Sequence, residues 1–292
     1  MSPAHGPFAA ALNLPPWLCG NCGFWQRHFE RPPSCPLCVD ARHIVPAEGW
    51  SFRDLQTARG QVACSWLELE PGVWRYLNEP APGIGPMGYL IQSDGRNVAF
   101  EGCGVYSEAC LEHLAALGGV DVAAASHPHA YGGLWQLQDR FDCEVALHPA
   151  DLSWSTALRV TWPFDDTLEI APGLRLHLTA GHFAGHTVLH DERRRILFCG
   201  DALKFELDPD DHRRAIAIST HKAFVRGVPL THGELCRYRD VFGALEFCQT
   251  WTPFEQAANA GRAETLAFLD RRLSGPPSAA AMPLHTGETR RG

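Results

Sequence analysis

Two pairs of cysteines constrain this chain more than any other feature. Cys19-x-x-Cys22 and Cys35-x-x-Cys38 stand twelve residues apart. Each Cys-x-x-Cys turn aims two sulfurs at one point, and two such knuckles make a tetrahedral four-sulfur site for a single ion. Around them, residues 17–48 carry Pro32, Pro33, Pro36 and Pro46 and little hydrophobic periodicity. A segment this short buries too little apolar surface to stand alone, so a bound ion is expected to hold it together. The expectation is a four-cysteine domain over residues 1–48, with residues 1–14 a loose arm. A four-thiolate site accepts iron or zinc, and both stay open.

The remaining length, out of 292 residues, suits one large domain. Hydrophobic residues make up 45% of the chain, enough for a sizeable core, and the net charge of −8 argues against a nucleic-acid partner. No apolar run reaches the roughly 18 residues of a membrane span. The N-terminus lacks a basic stretch followed by an apolar one, so no secretory signal is expected. With eleven cysteines, these features suggest a cytoplasmic protein whose thiols are metal ligands or small core residues. Cys64, Cys103, Cys110, Cys143, Cys199, Cys236 and Cys248 fall in the second group.

From Ser65 the texture is that of alternating strands and helices. Strands are expected at 66–70 and 73–77 across Pro71-Gly72, and at 88–92 and 97–101 across Ser93-Asp94-Gly95. A helix capped by Ser107 runs to Leu117, and a short buried strand, 120–125, leads directly into Ser126-His127-Pro128-His129. Further helices are expected over 133–141, 232–246 and 256–273. Strands are expected at 143–147, 174–179, 187–190, 196–199 and 247–252. This gives a second domain over 49–273 and a flexible C-terminal tail over 274–292.

Three of these strand ends carry ligand-type side chains. His127-x-His129 follows one. Thr179-Ala180-Gly181-His182-Phe183-Ala184-Gly185-His186-Thr187 follows another. Asp201, in Phe198-Cys199-Gly200-Asp201, follows a third. In a loop at a strand end, alternate side chains can converge on one ion.

The order of these motifs resembles the metallo-β-lactamase superfamily, in which His-x-His-x-Asp-His is followed by Gly-His and then by Gly-Asp after a strand. The early hairpins, Pro71-Gly72-Val73-Trp74, Tyr89-Leu90-Ile91 and Val98-Ala99-Phe100-Glu101-Gly102, fit as well. The resemblance covers about residues 65–273 and implies an αββα sandwich. It implies that His127, His129 and His182 are the histidines of the first metal position, that Asp201 is the aspartate shared between metals, and that His186 is a second, usually non-ligating histidine. Tyr131 and Gly132 occupy the places of the Asp-His pair that holds a second metal, so a mononuclear site with zinc or iron is expected. Thr252-Pro253-Phe254-Glu255 stands where a late histidine would. Glu255 and His221 are therefore possible additional ligands, and Tyr131 is a candidate for steering an oxyanion. The N-terminal stretch, with Trp17 before the first knuckle, Gly23-Phe24 after it and Cys35-Pro36-Leu37-Cys38, resembles the rubredoxin-like domain of rubrerythrins.

Three functions follow as expectations. The first is hydrolysis of a small ester, thioester, lactone or related substrate through a metal-bound water, with Asp201 and Tyr131 catalytic. The second is an iron-dependent oxidoreductase fed by a redox partner protein through the rubredoxin-like domain. The third is a metal-binding protein without catalysis.

Overall fold

The structure is a computed structural model and describes residues 13–284. It divides into two compact units. The first holds the described residues up to Leu147 together with Leu152–Pro163. The second holds His148–Asp151 and the described residues from Phe164 onward. Among the described residues no helix is long and apolar enough to cross a membrane.

The first unit opens with a small antiparallel sheet of β1 (Pro16–Cys19), β2 (Trp25–Arg27) and β3 (Phe52–Asp54), in the order β2-β1-β3. Helix α1 (Pro36–Val39) carries the second cysteine knuckle, and α2 (Leu55–Gly60) follows β3 directly, with Asp54 accepting a hydrogen bond from the Thr57 N–H. A mixed six-stranded sheet comes next, in sequential order: β4 (Ala63–Glu70), β5 (Val73–Glu79), β6 (Gly88–Ser93), β7 (Arg96–Phe100), β8 (Val122–Ala124) and β9 (Glu144–Ala146). The hairpins lie where the turn residues place them, with Ser93 paired to Arg96 across Asp94-Gly95. β7, β8 and β9 run parallel, and β8 is buried along its whole length. A continuous apolar run is the mark of a strand covered on both faces. Helices α3 (Glu108–Ala116) and α4 (Leu134–Phe141) make the connections between these parallel strands.

The four-cysteine segment shares a core with this sheet. Leu18 and Trp25 belong to the same buried cluster as Tyr76, Leu90, Val105 and Leu134. The Trp25 indole donates to the Gly104 carbonyl at 2.6 Å and meets the Trp135 ring edge-on at 5.3 Å. The Arg27 guanidinium lies 4.8 Å from the Trp135 ring centroid and donates to the Ala157 carbonyl.

The second unit is built on a six-stranded sheet ordered β10-β11-β12-β13-β16-β17, from β10 (Thr167–Ala171), β11 (Leu174–Leu178), β12 (Thr187–Asp191), β13 (Ile196–Phe198), β16 (Gln249–Trp251) and β17 (Gln256–Ala257). Between β13 and β16 the chain forms a hairpin of β14 (Lys204–Asp208) and β15 (Asp211–Ser219), then helix α5 (His232–Gly243), which has a full Thr231/Glu234 capping box. Helix α6 (Arg262–Ser274) closes the unit. Tyr238 and Phe242 of α5 share a buried cluster with Phe268 and Leu269 of α6 and with Val188 and Leu197 of the sheet.

Two expectations change here. Residues 256–273 are not one helix, because the Thr252 hydroxyl accepts from the Phe254 and Glu255 N–H groups and closes a turn that returns the chain as β17. The helix begins only after Gly261, whose N–H is bonded by the Glu264 carboxylate. Lys204–Asp208, outside the expected strands, is a strand paired with β15, and its Lys-Phe-Glu-Leu-Asp alternation is the local mark of one. In the segment read as a tail, Met282–Pro283 (β18) pairs with β15, while residues 285–292, like the arm over 1–12, lie outside the described residues.

Replacing Trp25 with alanine removes a large buried ring shared by the knuckle segment and the first sheet. It is expected to cost about 3–5 kcal/mol, read as a lowered urea midpoint by circular dichroism of the whole chain.

Candidate metal centres

In the first unit the chain leaves β8 through Ala125 and Ser126. The Ser126 N–H donates to the Glu101 carboxylate at 3.0 Å, and Glu101 is itself buried with φ of +63°. This carboxylate anchors the start of the histidine loop from beneath. The Ser126 hydroxyl lies 2.8 Å from His127 Nδ1, which turns Nε2 to the opposite side of the ring. His127 then caps a short 3-10 turn, Pro128–Ala130, that carries His129. Both imidazoles are buried, with ring centroids 5.3 Å apart and planes almost perpendicular. Tyr131 ends the same turn and is buried. His43, from the four-cysteine segment, sets its ring 5.5 Å from that of His129.

In the second unit a tight turn follows β11. Ala180 and Gly181 have φ of +55° and +83°, and a Cβ on Gly181 would lie 2.7 Å from the Tyr238 hydroxyl. That hydroxyl donates to the Ala180 carbonyl at 3.1 Å and accepts from the His182 N–H at 3.3 Å. Burial pushes the Tyr238 phenol well above its ordinary pKa, so it stays a donor. His182 Nε2 is 3.7 Å from Asp201 Oδ2, and Asp201 sits on a 3-10 turn, Gly200–Ala202, beyond β13.

His127 and His129 of the first unit, and His182 and Asp201 of the second, each offer one ligand atom. Three imidazoles and a carboxylate, mostly buried, are a donor set that Zn²⁺ or Fe²⁺ takes.

The other expected residues stand outside this group of four. His186 has its Nδ1 2.8 Å from the Thr179 hydroxyl, a bond that ties the two ends of its loop. His221 is buried, with its ring 5.4 Å from that of His182. Glu255 uses one carboxylate oxygen on the Lys204 ammonium, at 3.0 Å, and the other on the Thr252 hydroxyl, at 2.5 Å. Glu101, Ser126, Tyr238 and His43 carry no sequence signal of their own. Each matters through a partner far along the chain, or, for Ser126, through the rotamer of its neighbour.

The four cysteines converge equally well. Cys19 closes β1 and Cys22 follows a turn in which the Gly23 N–H donates to the Cys19 carbonyl at 2.9 Å. Cys35 caps α1 and Cys38 lies within it. The Cys19 and Cys38 sulfurs are 3.7 Å apart, those of Cys22 and Cys35 are 3.6 Å apart, and all four are buried. The Asn21 amide donates to Cys38 Sγ at 3.2 Å. Hydrogen bonds among the four thiols, led by the one to Cys22, pull Cys19 far below an ordinary thiol; the bond to Cys19 pushes Cys22 and Cys35 far above it. Cys38 is lowered too, so two of the four thiols are drawn towards the thiolate form that a metal ion takes. The arrangement is consistent with a rubredoxin-like knuckle.

Comparison with known proteins fits this geometry. The profile of the Metallo-beta-lactamase superfamily matches residues 111–279, more than half of the chain. The chain belongs to the metallo-beta-lactamase superfamily. The uncharacterized protein YmaE of Bacillus subtilis (strain 168) is 28% identical over 204 residues, 67% of this chain and 74% of its own length. Among solved structures, VMB-1 aligns with a TM-score of 0.54 at 15% identity, over 72% of this chain and 98% of that one. The metallo-beta-lactamase FIM-1 from Pseudomonas aeruginosa, in a mono-zinc form, aligns with a TM-score of 0.52 at 12% identity, over 74% of this chain and 98% of that one. At these identities the structures establish a shared fold, and so the expected fold class.

Tyr131 and Gly132 stand where the resemblance places the superfamily's Asp-His pair, and the backbone gives a reason for the glycine. Gly132 has φ of +42°, and a Cβ there would lie 2.5 Å from the Gly102 carbonyl oxygen. The His129 loop rests on residues 102–103 so closely that position 132 admits no side chain.

Joint replacement of His127 and His129 by alanine is expected to lower bound metal by about one equivalent per chain while the cysteine site stays loaded. Elemental analysis of the purified protein checks this.

Proposed function

We propose that this protein is a metal-dependent hydrolase acting on a small ester, thioester or lactone through a mononuclear centre held by His127, His129, His182 and Asp201. The observation that carries the reading is that these four donors follow strands β8, β11 and β13, in the order of the superfamily's motifs. The bound ion would lower the pKa of a water towards neutrality and polarise the substrate carbonyl. Gly132 supports a single ion, because the loop that would present a second histidine has no room for one. The FIM-1 structure, described as a mono-zinc form, is a precedent for one zinc in a protein of this fold.

The chain's own residues then have distinct tasks. Asp201, only partly buried and beside His182, orients the attacking oxygen and accepts its proton. Ser126 fixes the His127 ring so that the ligating nitrogen faces the ion. Tyr131, two positions after His129, offers a phenol to the oxyanion that forms at the carbonyl.

Asp201→Asn should lower kcat by at least about 100-fold while the protein stays folded, measured on a panel of nitrophenyl esters, acyl thioesters and lactones. Ser126→Ala should weaken metal binding by about 10- to 100-fold, read by competition with a chelator. Turnover that is equal in wild type, Asp201→Asn and the chelated protein would remove the hydrolytic reading and leave a metal-binding role.

One observation favours a second reading. His43, on the four-cysteine segment, lies against His129, which gives electrons a short route between the two sites if both hold iron. On that reading the protein is an oxidoreductase served by a redox partner protein. Anaerobically purified protein would then show iron–thiolate absorption bleached by dithionite. A colourless protein containing only zinc rules this out.

A further inference from the structure

Three cysteines that sequence treats as small core residues meet inside the first unit. Cys64 lies on β4 and is half-buried. Cys103 follows β7 and Cys110 lies in the first turn of α3; both are fully buried. The Cys110 and Cys64 sulfurs are 2.9 Å apart although 46 residues separate them along the chain. A disulfide bond is about 2.05 Å long, so the two sulfurs need to close by less than roughly an ångström to bond. Cys103 Sγ is turned to the Val105 carbonyl at 3.3 Å.

We propose that Cys64 and Cys110 form a redox-active pair that closes into a disulfide on exposure to a hydroperoxide, joining β4 to α3. Nothing in the pair belongs to either metal centre, so the proposal stands apart from the hydrolytic reading.

The environment assigns the roles. Hydrogen bonds from Cys103 and then Cys110, with help from the charge of exposed His113, hold the Cys64 thiol well below its usual pKa. Cys64 is also the member of the trio that is not fully buried, so it is both the better nucleophile and the one a peroxide reaches. Burial pushes Cys103 far up, which keeps it a protonated bystander. In the first step the Cys64 thiolate attacks one peroxide oxygen and the O–O bond breaks. The alcohol, or water, leaves with a proton, and Cys64 becomes a sulfenic acid. In the second, the Cys110 sulfur attacks the Cys64 sulfur, the S–O bond breaks, and water leaves with the Cys110 proton. Two thiols lose two electrons, the peroxide gains them, and a dithiol reductant reverses the change.

The test uses the metal-loaded full chain. It is titrated with hydrogen peroxide, trapped with an alkylating agent under denaturing conditions, digested and mapped by mass spectrometry. The expected result is a Cys64 peptide linked to the Cys110 peptide, lighter than their sum by two hydrogens and separated by dithiothreitol. The link should persist in Cys103→Ala and vanish in Cys110→Ala, where Cys64 should advance to sulfinic acid. Exposed Cys248 is the internal control. If Cys64 and Cys110 both remain alkylatable at a peroxide dose that oxidises Cys248, or if Cys64 is found linked to Cys103, the proposal falls. The wild-type map decides this even if a variant fails to fold.

Discussion

Placing three imidazoles and a carboxylate, mostly buried, at strand ends is the constraint the rest of the structure answers to. Polar groups buried this way lose their water, and only a shared cation or a full set of hydrogen bonds offsets the loss. The fold puts a short strand behind each donor and holds the histidine loops by side-chain hydrogen bonds. The Glu101 carboxylate fixes the loop of His127, and the Tyr238 hydroxyl fixes that of His182. The donors lie at strand ends, where a loop can be shaped without disturbing the ladder behind it.

The strand ends were legible because their signals are local. An apolar run that stops at His127, a Gly-His after β11 and a Gly-Asp after β13 can each be read within ten residues or so. The hairpins of β4 to β7 were legible for the same reason, through Pro71-Gly72 and Asp94-Gly95. What could not be read depended on distant partners. Gln256 and Ala257 carry helical character and are strand because a side-chain hydroxyl at Thr252 turns the chain. Glu101 reads as the end of a strand, and its role depends on an N–H group 25 residues away. The close approach of Cys64 to Cys110 is the extreme case, since nothing around either residue marks it.

The four-cysteine segment shows the same limit at larger scale. Its ligand spacing announces an ion site, yet composition says nothing of what the segment leans on. Trp25 and Arg27 tie it to Trp135, Gly104 and Ala157, and His43 brings it beside His129. An ion bound by the thiolates therefore stabilises more than its own loop, because folding energy released on binding is shared with whatever packs against the folded segment.

The crowding at Gly132 has an engineering meaning. A designer wishing to test a second metal here would think first of placing a histidine at position 132. That route is closed to side-chain replacement alone, because the obstacle is a carbonyl oxygen of the main chain. The turn at 130–133 would have to be lifted off residues 102–103, and the bonds from the Gly102 N–H to the Ala130 carbonyl and from the Gly133 N–H to the Cys103 carbonyl given up. A histidine at position 132 is thus barred by the path of the backbone, and admitting one calls for loop grafting.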